Sequence, residues 1–222
     1  MIPFIKKNLH LLAVLSIAGQ GLLYLLIGSL VNSQLEAVPI NSAIDDRIPF
    51  LSWFVISYAA WMMILYVAFI YLGLTNRPLY WRSIIAYNIA VMISNLIFIV
   101  FPTYMPRPDI TDSDLFSRLV LFIYNNDEPV NCFPSIHCLT TYLLIITMHR
   151  HKLFAVVPRM LISLFLWSII ASTLFIKQHA LVDAIGGIAL AEITYRLVYY
   201  FLDKQGKLPV SKPFSPGVSL SG

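Results

Sequence analysis

The 222-residue sequence predicts an all-α integral membrane protein, a six-transmembrane-helix bundle, and three observations carry that expectation. Hydrophobic residues make up 59% of the chain and charged residues only 12%, at a mean hydropathy of +0.77; soluble domains carry about 25% charged residues. The apolar residues gather into six stretches, most of them near the length of about 20 residues that spans a hydrocarbon core as a helix. The basic residues concentrate on alternate connections between those stretches.

The first stretch, Leu9 to Val31, follows Lys6 and Lys7 and superficially has the layout of a secretory leader. Its apolar run is longer than a leader's h-region and no small-x-small cleavage pattern lies near its end, so it is expected to stay as the first helix. Leu51 to Leu74 and Ser83 to Phe101 give the second and third helices. The only long connection then runs from Pro102 to about Pro134. The fourth stretch, Ile136 to Met148, is short. To reach across a bilayer it must begin inside Pro134-Ser135-Ile136-His137, which puts His137 on the first turn of a helix near the membrane surface. Leu153 to Ile176 and Leu181 to Leu202 complete the set. One compact helical membrane domain is expected over residues 1–202. Residues 203–222, with Gly206, Pro209, Pro213, Pro216 and Gly217 among polar neighbours, read as a flexible cytoplasmic tail.

Orientation follows from lysines and arginines in short loops, which stay on the cytoplasmic side. One set of connections holds Lys6, Lys7, Arg77, Arg82, Arg150, Lys152, Arg159, Arg196, Lys204, Lys207 and Lys212. The other holds only Arg47, Arg107, Arg118 and Lys177, together with nine of the eleven acidic residues: Glu36, Asp45, Asp46, Asp109, Asp112, Asp114, Asp127, Glu128 and Asp183. Both termini are therefore expected in the cytoplasm, and the 102–134 loop on the periplasmic, extracellular or lumenal side. The net charge of +4 is an orientation device. Its basic residues are scattered over short turns, which argues against nucleic acid as a partner.

That orientation delivers Arg107, Ser135, His137, Lys177, His179 and Asp183 from separate loops to one membrane face, and their side chains compose a chemistry. A neutral imidazole is a nucleophile toward phosphorus when a partner keeps its other nitrogen protonated. Asp183, at i+4 from His179 and so on the same helical face, can be that partner. A second imidazole, His137, can protonate the departing alkoxide from the opposite side, and its helix start favours an anionic phosphate. Arg107 through a bidentate fork, Lys177 as a point charge and Ser135 through its hydroxyl or amide can stabilise the phosphoryl oxygens. No metal or other cofactor is needed for this set. The paired ligand spacings of a zinc site are absent, and Lys177 would oppose a cation. Cys132 and Cys138, six residues apart around the Pro-Ser-Ile-His run, are expected as free thiols.

The ordered set Arg107-Pro108, Pro134-Ser135-x-His137, and Ser172 followed by His179 and Asp183 resembles the type 2 phosphatidic acid phosphatase superfamily of membrane lipid phosphatases and phosphotransferases. The motifs cover about the C-terminal half, and the six helices nearly the whole chain. The resemblance implies a phosphohistidine at His179 oriented by Asp183, proton donation by His137, and phosphate contacts from Arg107 and Ser135. Two cations usual in the family are missing, since Val100 and Thr173 stand at the places of its lysine and arginine, and Ile136 stands where many members have glycine before the histidine. Lys177-Gln178-His179 and the Asp45-Asp46-Arg47-Ile48-Pro49-Phe50 segment are similar to the branch that includes inositol phosphorylceramide and sphingomyelin synthases, which gives Lys177 a larger part in the phosphate clamp.

The expectation for function is a metal-independent lipid phosphate phosphatase acting on a phosphomonoester or pyrophosphate lipid drawn from the bilayer. The alternative is a phosphotransferase that moves a phosphoryl or phospho-head group to a lipid hydroxyl. A non-enzymatic proton or ligand pathway built on the same histidines accounts less well for the full ordered set.

Overall fold

The structure is a computed structural model, and it describes residues 8–34, 36–111 and 114–204. Lys6, Lys7, Asp112, Lys207, Lys212 and the tail beyond Lys204 lie outside the described residues.

A 3-10 turn at Leu9–Val14 leads into α1 (Leu15–Gln34); β1 (Val38–Pro39) and the short α2 (Ala43–Arg47) follow, then a 3-10 turn at Ser52–Phe54 that opens α3 (Val55–Thr75). The order continues with α4 (Arg77–Val100), β2 (Thr103–Tyr104), α5 (Leu115–Asn126), α6 (Ile136–Arg150), α7 (Val156–Phe175) and α8 (Leu181–Lys204). The last helix thus extends past Leu202. Side chains close the helix starts. Asn76 accepts the Leu79 amide ahead of α4, which carries Pro78 in its first turn. Asp114 accepts the amides of Phe116 and Ser117 ahead of α5, and Ser135 caps α6.

Large apolar side chains such as Leu22, Ile56, Met63, Val67, Leu161 and Leu164 point outward, while polar side chains lie between helices. Asn95 donates to Gln20, and Asn88 to Ser16, across the α1–α4 contact. This inversion is the signature of a bundle whose solvent is lipid. Among the described residues, four helical stretches are long and apolar enough to cross a membrane, Leu9–Val31, Ser52–Thr75, Arg77–Val100 and Val156–Phe175. The other two expected spans differ for physical reasons. α6 has only 15 residues and is the most enclosed helix, while α8 carries Asp183, Glu192, Arg196, Asp203 and Lys204. Helices wrapped by protein need less apolar surface than helices facing lipid.

Two features of the connections add to the six expected helices. β1 and β2 form a two-residue parallel pair, Val38 with Thr103 and Pro39 with Tyr104, and Tyr104 also bridges to Val130. The 102–134 connection contains α5, twelve residues long, with Leu115, Leu119 and Phe122 exposed and Ser117 and Val120 buried. An exposed apolar face on a helix in a loop suits the membrane interface.

α6 packs against both α7 and α8. Its approach to α8 rests on Gly187, where an added Cβ would lie 2.4 Å from the Ser135 carbonyl and 3.0 Å from the Leu139 amide nitrogen. At the opposite end of these helices, Arg82 is fully buried in an ion pair with Asp203, and Glu192 holds Arg150 and Arg196.

Candidate active site

The turn between α7 and α8 is built around one carbonyl. The Thr173 oxygen accepts the amides of both Gln178 and His179, each at 3.0 Å. Lys177 takes a left-handed conformation there (φ 55°), where glycine is usual after a helix. Its ammonium donates to the carbonyls of Asp45 (2.6 Å) and Ile48 (2.5 Å). Burial lowers the Lys177 ammonium below its ordinary pKa against the pull of Asp45 and Asp46. Lys177 therefore ties the turn to α2, with its donors directed at main-chain oxygens.

Asp45 completes that tie. Its carboxylate accepts the Ser42 amide and hydroxyl on one oxygen and the Leu181 amide, at the start of α8, on the other (2.7 Å). Burial alone would raise its pKa; the Ser42 and Leu181 hydrogen bonds and the Lys177 charge overcome this and hold it below the ordinary value.

Asp183 is fully buried and accepts the Ala180 amide at 2.9 Å on the same oxygen that lies 3.4 Å from His179 Nδ1; its second oxygen has no partner among the described residues. The Asp183 carbonyl accepts the Ser135 amide (3.0 Å), so α8 and the start of α6 are joined beside the imidazoles. His179 Nε2 and His137 Nδ1 face each other at 3.4 Å. His137 packs against the rings of Tyr58 and Trp61, with centroids at 4.6 and 3.9 Å. The Trp61 indole donates to Thr140, one turn further along α6. Ser135 is fully buried, and its hydroxyl accepts the Cys138 amide.

Arg107 lies over the Tyr124 ring and donates to the carbonyls of Tyr124 (2.9 Å) and Asp127 (2.6 Å) and to the Gln178 side-chain oxygen. Its Nε is buried without a partner among the described residues. Arg107 thus holds the end of α5 against the His179 turn and keeps part of its fork unengaged.

Both histidines line a cavity of about 420 Å³ among α1, α3, α4 and α5, walled by apolar side chains including Ile17, Leu25, Met62 and Val91. Among the described residues, Cys132 Sγ, a His179 nitrogen and an Asp183 oxygen lie within 4.8 Å of one another, three ligand types able to hold a cation. Burial and the neighbouring Asp183 push the Cys132 thiol well up, away from the thiolate that ligation requires. Cys132 and Cys138 are both free and buried.

A family model described as the PAP2 superfamily matches residues 34–197, most of the chain. The chain belongs to the PAP2 superfamily. No curated protein and no solved structure gives a match. As a PAP2 protein it is an enzyme of phosphatase-type phosphoryl transfer.

At the two places where this PAP2 chain lacks the usual cations, the side chains serve helix and lipid. Val100 ends α4 with 83% of its surface exposed. Thr173 is buried and donates its hydroxyl to the Ile170 carbonyl, as Ser172 does to Ile169. Tyr104, three residues before Arg107, lies in β2. The aromatic walls of His137 and the Asp127 side chain in the cavity were not legible as site residues. Tyr58 and Trp61 are one turn apart on a helix, a spacing they share with ordinary packing aromatics.

Proposed function

We propose that this PAP2 enzyme is a membrane-embedded lipid phosphate phosphatase that works through a phosphohistidine on His179. The observation that supports this reading is the pair of facing imidazoles, His179 Nε2 opposite His137 Nδ1, at the wall of an apolar cavity. Asp183 keeps the proton on His179 Nδ1 and leaves the Nε2 lone pair for phosphorus. Nε2 attacks, the ester P–O bond breaks, and the leaving oxygen takes the proton carried by His137. His137 then removes a proton from water, whose oxygen attacks phosphorus and breaks the P–N bond, releasing inorganic phosphate and restoring His179.

In-line transfer needs about 3 Å from nucleophile to phosphorus and about 3 Å from ester oxygen to acid. The imidazoles at 3.4 Å must part to admit the phosphoryl group. Arg107 Nε, the amides at the α6 start and Ser135 stabilise its oxygens. Lys177 contributes its charge from the α2 side and holds the turn. The reading also takes α6 and α8 as membrane crossings, six in all, with the site on the non-cytoplasmic face and both termini inside. The cavity receives lipid chains from the bilayer, and nucleic acid has no part.

Purified enzyme in detergent, given phosphatidate, a sphingoid phosphate and a polyprenyl pyrophosphate, is expected to release inorganic phosphate from at least one. His179→Ala should reduce that release by at least about 10³-fold, as loss of a nucleophile does. Unchanged turnover in both His179→Ala and His137→Ala overturns the mechanism.

A further inference from the structure

Beside the histidines the cavity holds a second polar group with the opposite electrostatic character. Asp127, the residue after α5, presents its carboxylate to the cavity, where Tyr24 from α1 donates to one oxygen (3.1 Å) and Tyr58 from α3 to the other (3.3 Å). Tyr58 is also the ring stacked on His137, so one side chain spans from the imidazole to the carboxylate. Asn131, 2% exposed, lines the same cavity; its amide donates to the Tyr24 carbonyl, and its Oδ1 is buried with no partner among the described residues.

A carboxylate next to a phosphoryl site repels the phosphate itself, so this pole is complementary to another part of a ligand. The tyrosine hydroxyls use two of about four acceptor sites on the carboxylate. With the Asn131 oxygen, what remains is acceptor-only. The missing partner is therefore a hydrogen-bond donor, because a buried acceptor left without one costs about 1–3 kcal/mol. Arg107, bound to the Asp127 carbonyl, already supplies one positive charge there, which favours a neutral donor over a second cation. Asp127 and Asn131 also border a more polar cavity with Ser29 and Glu128, but the wall they share with the histidines is apolar, so a donor seated beside the imidazoles belongs to a lipid.

We propose that Asp127, Tyr24, Tyr58 and Asn131 form a hydroxyl-binding subsite that selects a lipid carrying an alcohol close to the reacting phosphoryl group. This deepens the reading of the same site as a lipid phosphatase and rests on it. The hydroxyl comes either from the phosphorylated lipid itself or from a second lipid alcohol seated beside it. In the second case that alcohol attacks phosphohistidine, its oxygen forms the new P–O bond as P–N breaks, and its proton passes to His137.

Equilibrium binding to the full chain in detergent tests the subsite independently of turnover. The probes are two nonhydrolysable long-chain phosphonates of equal length, one with a hydroxyl on the carbon next to that which would bear the ester, the other its deoxy counterpart. A built-in hydroxyl is expected to tighten binding about tenfold, worth about 1.4 kcal/mol. If the hydroxyl belongs to a second lipid, adding a long-chain alcohol should tighten binding of the deoxy probe by a similar factor. Either gain should vanish in Asp127→Asn. Asn131→Gly, compatible with the left-handed backbone at that position (φ 58°), should reduce it and serves if the first variant does not fold. A purely structural role for the cluster weakens both probes equally. Equal binding of the two probes in the parent chain that added long-chain alcohol leaves unchanged, or a gain retained in the variants, overturns the proposal. Loss of phosphate release in the earlier assay, with the hydroxyl gain intact, would instead count against the phosphatase reading alone.

Discussion

At the scale of single residues, the proposed chemistry rests on side chains whose surroundings differ sharply. Asp183 and Asp127 are both carboxylates near an imidazole, yet one is sealed behind His179 with a backbone amide and the other faces the cavity through two tyrosines. Asp45 is a third case, remote from the cavity and committed to structure. Its pKa is held below the ordinary carboxyl value of about 4. Such a group stabilises the fold fully above that value and loses its contribution as pH falls through the depressed folded value. Asp45→Asn is expected to lower stability near neutrality by about 1–2 kcal/mol, the usual worth of a helix cap. Thermal unfolding in detergent should show the gap between parent and variant closing below about pH 4. A gap that is constant with pH would detach the stabilisation from the charge.

The histidines and Asp183 were legible in the sequence because their chemistry depends on short spacings that a helix preserves. Arg107 and Lys177 were legible as cations near the site, but their main-chain partners were not. Those carbonyls belong to Tyr124, Asp127, Asp45 and Ile48, and a carbonyl has no sequence signature. Asp127 was hidden for a similar reason, since its two tyrosines lie 103 and 69 positions away.

At the scale of elements, six helices were readable from apolar runs because lipid demands length and hydrophobicity. α5 was not. Its polar N-cap and half-exposed apolar face suit an interface helix, whose period is masked when the whole 102–134 connection is read as loop. Gly187 lets α8 pack closely against the start of α6, the helix that bears His137. In an ordinary helix Gly→Ala gains about 1 kcal/mol. Here the new methyl meets the Ser135 carbonyl at 2.4 Å, so the sign reverses. Gly187→Ala is expected to lower thermal stability and to reduce kcat by about tenfold to a hundredfold, the effect of a displacement near 1 Å. A more stable and fully active variant would show that the helices have room to part.

At the scale of the whole molecule, the bundle has an apolar exterior, an ion pair between buried Arg82 and half-exposed Asp203 at one end, and the imidazoles at the other. The proposed sidedness is checked on intact cells with a membrane-impermeant thiol reagent. Cysteine introduced at the exposed Asp109 should be labelled from outside and cysteine at the exposed Ala155 should not, while the native Cys132 and Cys138 are buried. The reverse pattern would place the site in the cytoplasm.

Asp45 accepts its hydrogen bond from an amide made 136 residues later. During synthesis the carboxylate must wait while helices α3 to α7 emerge, and the turn bearing His179 is secured only when α8 docks. The imidazole pair that the proposed reaction needs is therefore tied in place only once the last helix has docked.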